Sequence, residues 1–205
     1  MKFSTQELVT LAVFGTLWGA VEIGLGAVLH ALNLPMSGVF LSALGMVVAL
    51  SGRLFVPRRG SILFIGVIAM VLKLFSVGSI VLGPMVGILT EALLAETALL
   101  PFRRPSRFSF VLAGGLVGCW TLLQPFFTGL VLFGRSVFVV WADLLQEGSR
   151  LLSLDASKAV FWILGIWIGL HLMVGVLAGW VAWGTGHVLL KRSGVFGHEG
   201  SGNGG

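Results

Sequence analysis

Four ionisable side chains, Glu22, Lys73, Glu91 and Glu96, lie inside long apolar runs of a 205-residue chain. A charge in hydrocarbon is costly, so such residues usually face a bundle interior or a water-filled cavity and mark ion pairs, relays or binding sites. Lys73 and Glu91 fall on neighbouring runs with opposite charges. An ion pair between them would have to span about 6–9 Å of depth at the helical rise per residue. The alternative is that Lys73 extends its ammonium toward the nearer membrane surface. Glu96 stands five residues beyond Glu91, about 140° further round a helix, and is expected to pair with Arg103 or Arg104 at the end of its run. Glu22 and Glu91 are then the two charges hardest to explain as anchors.

Other polar and aromatic side chains extend this set. His30 and Asn33 close the first apolar run, Gln124 lies in the fifth, and His171 lies near the middle of the last. Trp141 and Trp162 suit the membrane interface, where tryptophan commonly anchors. Trp120 lies deeper and is the better candidate for stacking on a ring or a cation. A pocket with aromatic walls and a few converging polar groups suits a small heteroaromatic solute. The expected contacts are Glu22, His30, Asn33, Lys73, Glu91, Gln124 and His171, with Trp120 as the stacking surface.

Catalytic signatures are missing. The chain has no G-x-x-x-x-G-K-[ST] phosphate loop, no H-E-x-x-H zinc helix and no G-x-S-x-G nucleophile elbow. Cys119 is the single cysteine, so one chain offers neither a disulfide nor a thiolate metal cluster. The expectation is a binding protein that is not an enzyme and needs no cofactor or metal.

The elements that must position these residues are membrane helices. The chain is 57% hydrophobic and 10% charged, with mean hydropathy +1.03, against about 25% charged residues in a soluble domain. Six apolar segments are expected to cross the bilayer as one compact all-α bundle, near residues 8–32, 37–51, 62–77, 80–100, 108–133 and 160–188. The second and third are short, and tilt or local thinning would accommodate them. The first run is too long for the core of a signal peptide. Residues 1–193 form the membrane domain, and 194–205 read as a flexible polar tail.

Charge sets the orientation. Lys2, Arg53, Arg58, Arg59, Arg103, Arg104, Arg107, Lys191 and Arg192 make up nine of the thirteen Lys and Arg residues. Six crossings put all nine on one side, so both termini are expected in the cytoplasm of a multi-pass cell-membrane protein. This topological signal accounts for the basic balance better than a nucleic-acid surface does. The connections near residues 33–35 and 78–79 carry no charge. The long connection from 134 to 157 holds an amphipathic stretch, with Val137, Trp141, Leu144, Leu145 and Leu152 on one stripe and Asp143, Glu147 and Arg150 largely away from it. It reads equally as a helix resting on the membrane surface or as a lid over an outward-facing cavity.

Thirty glycines point to close helix contacts, because small residues let backbones approach in lipid. The first helix spaces Ala12, Thr16, Ala20 and Gly24 four apart, with Gly15 and Gly19 one strip over. Gly83/Gly87 repeat the device in the fourth helix, and Gly165/Gly169 and Gly175/Gly179 repeat it in the sixth. Packing within the bundle and docking to another membrane subunit both remain open.

The passage Gly83-Pro84-Met85, then Glu91, then Ala95-Glu96, resembles the substrate-binding (S) components of energy-coupling factor vitamin transporters, nearest the thiamin/hydroxymethylpyrimidine type. The run Gly175-Val-Leu-Ala-Gly179 is similar to the closing helix of that family. The resemblance implies capture of a vitamin-like small molecule from outside, with thiamin or its pyrimidine precursor as candidates. A membrane coupling subunit and two ATPase subunits then drive uptake. It also implies that Ala12, Thr16 and Ala20 form the docking face, with Thr16 standing where the family has alanine. The other readings are a stand-alone ion-coupled carrier or a membrane enzyme using Glu22 and Glu91 as a proton-handling pair, and a scaffold whose charges fix helix register.

Overall fold

The computed structural model describes residues 3–32, 36–76, 82–153 and 160–193, apart from the side chains of His30 and Leu151. Asn33, the His30 side chain, the connections at 33–35 and 78–79, Lys2 and the tail 194–205 lie outside the described residues. Within them every regular element is helical: α1 (Thr5–Ala31), α2 (Ser37–Phe55), α3 (Ser61–Lys73), α4 (Leu82–Leu99), α5 (Arg107–Phe127), α6 (Val137–Leu152) and α7 (Val160–Arg192). A π-helical turn, Thr128–Leu132, continues α5 beyond Pro125, where the missing proline N–H disrupts the regular ladder.

Five of these helices, α1, α2, α4, α5 and α7, are long and apolar enough to cross a membrane, so the chain is an α-helical multi-pass membrane protein. The sixth expected segment, at 62–77, is shorter than the sequence implies. Its helix α3 has 13 residues, about 20 Å at 1.5 Å per residue. It stops at Lys73, whose side chain turns into the bundle. At the other extreme, α7 runs 33 residues to Arg192, about 50 Å, and exceeds the thickness of the hydrocarbon core.

The bundle is apolar outside as well as inside. Val9, Val13, Leu17, Phe108, Leu177 and Trp180 are exposed on helix flanks, as expected where the surrounding solvent is lipid. Two devices hold the interior together. The first is aromatic: Trp18 of α1 is fully buried and packs against Gly45 of α2, where a Cβ would come within 2.0 Å of its indole nitrogen. The same ring faces Gly66 of α3, and a Cβ there would meet Ala92 of α4 at 2.3 Å.

The second is the crossing of α5 and α7, a contact between backbones. A Cβ on Gly114 would stand 2.1 Å from the Gly175 carbonyl oxygen, one on Gly118 2.4 Å from that of His171, and one on Gly179 2.2 Å from that of Phe110. Of the two glycine pairs in the last helix, only Gly175/Gly179 packs within the bundle. Gly165 and Gly169 face open space. On α1, Gly15 and Gly19 press on Ile68 and Leu72 of α3, while Thr16, Ala20 and Gly24 are exposed and Ala12 is half-buried.

At the end bearing the basic loops, Glu96 does not pair with Arg103 or Arg104. Both arginines are exposed. Its carboxylate accepts the Gly60 N–H at 2.7 Å and the Ile62 N–H at 3.0 Å, and pairs with buried Arg53 at 3.4 Å. Glu96 therefore caps the N-terminus of α3, where the first N–H groups lack helical partners and a negative charge is favoured. Gly60, at φ +89°, supplies the left-handed turn that brings those amides to it. The nearer loop arginines lost this competition because two preorganised backbone donors and a buried guanidinium satisfy the carboxylate without leaving the bundle.

The α5/α7 crossing has no room for side chains. Gly175→Val should lower the melting temperature in detergent by several degrees, overpacking of this kind costing about 1–3 kcal/mol or more against rigid backbone. Gly165→Ala and Gly169→Ala should leave the melt unchanged.

Candidate functional site

The structure divides the expected polar set into two clusters. The first lies deep between α1, α2, α3 and α4. Lys73 and Glu22 are 8% and 6% exposed. The Lys73 ammonium donates to Glu22 Oε2 at 3.2 Å and to the Glu22 carbonyl oxygen at 2.8 Å. Lys73 therefore neither bridges to Glu91 nor reaches toward the membrane surface. The partner is Glu22 because α1 packs along α3 through Gly15 and Gly19. This sets Glu22 beside the last turn of α3, with Gly26 also close to the ammonium: a Cβ there would stand in ordinary contact, 3.5 Å from Lys73 Nζ.

Glu91 stands apart from that pair. It is 4% exposed, and its Oε2 has no hydrogen-bond partner. The Ser42 hydroxyl of α2 faces its carboxyl, and the Glu22 carboxylate lies close enough to act on it. Glu22 and Glu91 are thus not a matched carboxylate pair, since one is already neutralised by Lys73. Glu91 and Glu96, on different sides of α4, serve different surroundings: Ser42 in the middle of the bundle and the α3 cap at its end.

The second cluster surrounds a cleft of about 440 Å³ at the end of the bundle opposite the basic loops. A volume in this range suits a small organic molecule. One wall is α5 and its π-turn, with Thr121, Gln124, Pro125 and Thr128; the facing wall is α7, with Trp167 and His171; Met36 to Val39 of α2 form a third side. Across the mouth lies α6, contributing Val140, Asp143, Leu144 and Glu147.

Local chemistry holds each wall in place. His171 is buried, and its Nδ1 lies 2.8 Å from the Trp167 carbonyl oxygen one turn earlier, so the other ring nitrogen serves the cleft. The two rings also touch, with centroids 5.3 Å apart. Gln124 fills the space left by Gly87 of α4 and donates from Nε2 to the Gly83 carbonyl at 3.4 Å. Ser136 caps α6 by accepting the Val139 N–H. Val140 meets Gly129, and Gly148 meets Ile163 of α7.

The stripe on α6 differs from the expectation. Val140, Leu144 and Gly148 face inward, whereas Val137 and Trp141 are exposed and Leu145 and Leu152 only half-buried. Asp143 and Glu147, expected to point away, share the inward side and line the cleft. Asp143 is paired with Arg135 at the start of the segment, and Glu147 accepts a long hydrogen bond, 3.5 Å, from the Met36 N–H. Helix α6 therefore covers a cavity, which favours the lid over a helix lying flat on a membrane surface.

Of the residues singled out in the sequence, Gln124 and His171 meet in the cleft. Glu22, Lys73 and Glu91 form the separate interior cluster. Trp120 belongs to neither: it packs on Phe127 at 5.8 Å, and its indole N–H has no partner. Sequence reasoning missed Glu147, Asp143, Thr121 and Trp167 as lining residues. The available signal was spacing: Val140, Leu144 and Glu147 recur three and four apart, as do Trp167 and His171. An apolar-only stripe excluded the acids.

A pair this deeply buried is worth most when intact. Lys73→Met strands the Glu22 carboxylate and should cost about 3–5 kcal/mol, while the double substitution Glu22→Gln with Lys73→Met should recover much of that loss. Melting of the wild type and the two variants in one detergent checks the order.

No protein-family model, curated protein or solved structure matches the chain.

Proposed function

We propose that this protein is the substrate-capture subunit of an energy-coupling factor type importer. In this reading it binds a vitamin-like or heterocyclic small molecule, with thiamin or its pyrimidine precursor as the first candidates. Six helices cross the cell membrane, α3 being the short one, with both termini in the cytoplasm and the cleft facing outward. A membrane coupling subunit and two ATPase subunits supply the work, and the chain itself performs no chemistry. The observation that carries the reading is the cleft: it lies at the end away from the basic loops, is covered by an amphipathic helix, and is lined by His171, Gln124, Glu147 and Trp167.

These groups match what a small polar heterocycle needs. His171 and Gln124 offer hydrogen bonds from opposite walls, Trp167 offers an aromatic surface, and Glu147 offers an acceptor near the mouth. Lid closure would occlude the solute before the protein reorients against its partner. The open strip of Thr16, Ala20 and Gly24, with Ala12 at its edge, supports a docking surface on α1, because the packing glycines of that helix lie on the other strip.

Native mass spectrometry of the gently purified protein should find a retained small molecule and copurifying coupling and ATPase subunits. His171→Ala and Gln124→Ala should each weaken binding of that molecule by roughly 10-fold or more, the loss of about 1–2 kcal/mol expected when one buried hydrogen bond is removed. Full uptake in ATP-depleted cells, with no copurifying subunit, would refute the reading.

A further inference from the structure

Glu91 has a charge balance that the described side chains do not close. Its carboxyl lies in the middle of α4, 4% exposed, with Oε2 unpartnered. No Lys, Arg or His nitrogen among the described residues comes within ion-pair distance of it. The one buried ammonium nearby, Lys73, is held by both the carboxylate and the carbonyl oxygen of Glu22. α2 offers only the Ser42 hydroxyl, and α5 carries no charged residue between Phe108 and Leu132. An isolated carboxylate in such surroundings is expensive, and a counter-charge relieves the cost.

A route for that counter-charge leads from the cleft. Ser42 lines a small void of about 10 Å³ beneath the cleft floor, room for roughly one water. Val39 and Thr121 line both the void and the cleft, so the two spaces share a wall one side chain thick. The Thr121 and Ser42 hydroxyls stand along that line; Thr121 donates its own proton to the Gly118 carbonyl oxygen at 2.8 Å, so its oxygen faces a passing cation as an acceptor, and the Ser42 hydroxyl faces the Glu91 carboxyl.

We propose that Glu91 is an exchangeable monovalent-cation site, taking a proton or a sodium ion from the cleft past Thr121 and Ser42. The cation neutralises the carboxyl while the bundle is closed, and its exchange accompanies opening of the cleft. The two sources share one chemistry, a single positive charge on an otherwise uncompensated carboxyl. The inference does not depend on ATP-driven partners or on the identity of the solute.

The test uses the purified full-length chain without added solute. Infrared difference spectra between acid and alkaline buffer should show a protonated-carboxyl C=O band that disappears at high pH. That band should be lost in Glu91→Gln, shifted in Glu91→Asp, and retained in the double variant Glu22→Gln with Lys73→Met. If the cation is sodium, no such band appears; the protein instead binds radioactive sodium saturably and is stabilised by sodium over choline, and both effects are lost in Glu91→Gln. Should Glu91→Gln fail to fold, the wild-type and Glu91→Asp spectra and the wild-type sodium isotherm decide. Neither a titrating band nor saturable sodium binding in the wild type, signals that persist unchanged in a folded Glu91→Gln, or a carboxyl band that does not shift in Glu91→Asp, would overturn the proposal. A retained solute with no cation signal would sink this inference and leave the capture function standing.

Discussion

The backbone contact between α5 and α7 is the constraint on which the rest of the arrangement depends. In lipid, helices gain little from hiding apolar surface, so association rests on close packing and on polar groups finding partners. Gly114 and Gly118 against Gly175 and Gly179 bring two main chains together with no side chain between them. The contact ends at Gly118 and His171. Beyond it α5 reaches Pro125 and its π-turn, residues with bulk replace glycine on the strips that face each other, and the cleft opens between Thr121 and Gln124 on one side and Trp167 and His171 on the other. The tight crossing and the open cleft are two parts of one geometry.

The same scarcity of solvent explains the handling of charge. Glu22 and Lys73 neutralise each other, and Glu96 answers two backbone amides and Arg53. Each satisfied charge also ties together helices far apart in sequence: α1 to α3, and α4 to the α2–α3 turn. Glu91 ties nothing of this kind. A buried acid that meets only the Ser42 hydroxyl and no counter-charge needs a different explanation, and Ser42 lies toward the cleft.

The cover over the cleft follows from a short local code. Ser136 starts α6, and Val140, Leu144 and Gly148 seat it on Gly129 and Ile163. The Arg135–Asp143 pair lies at the mouth. Much of the α6 surface remains exposed, including Phe138 and Trp141, so it is attached by one narrow face. Little besides that face and the long Met36–Glu147 contact holds it over the cleft.

Composition and hydropathy alone determined that the chain is a helical membrane protein, because twenty-residue apolar runs have no other stable home. The glycine strips were legible as packing surfaces, and Gln124 and His171 as groups in need of partners, because both inferences rest on the local cost of burying a polar or a bare backbone surface. Partner choice was not legible. Lys73 chose Glu22 over Glu91, and Glu96 chose Gly60, Ile62 and Arg53 over Arg103 and Arg104, because these choices depend on which helix faces meet and at what depth. Which of two glycine strips packs on α1 or α7, and the inward turn of Asp143 and Glu147, were settled in the same way. Sequence fixes the price of each buried group along its own helix, whereas only the tertiary arrangement brings together the two groups that share it.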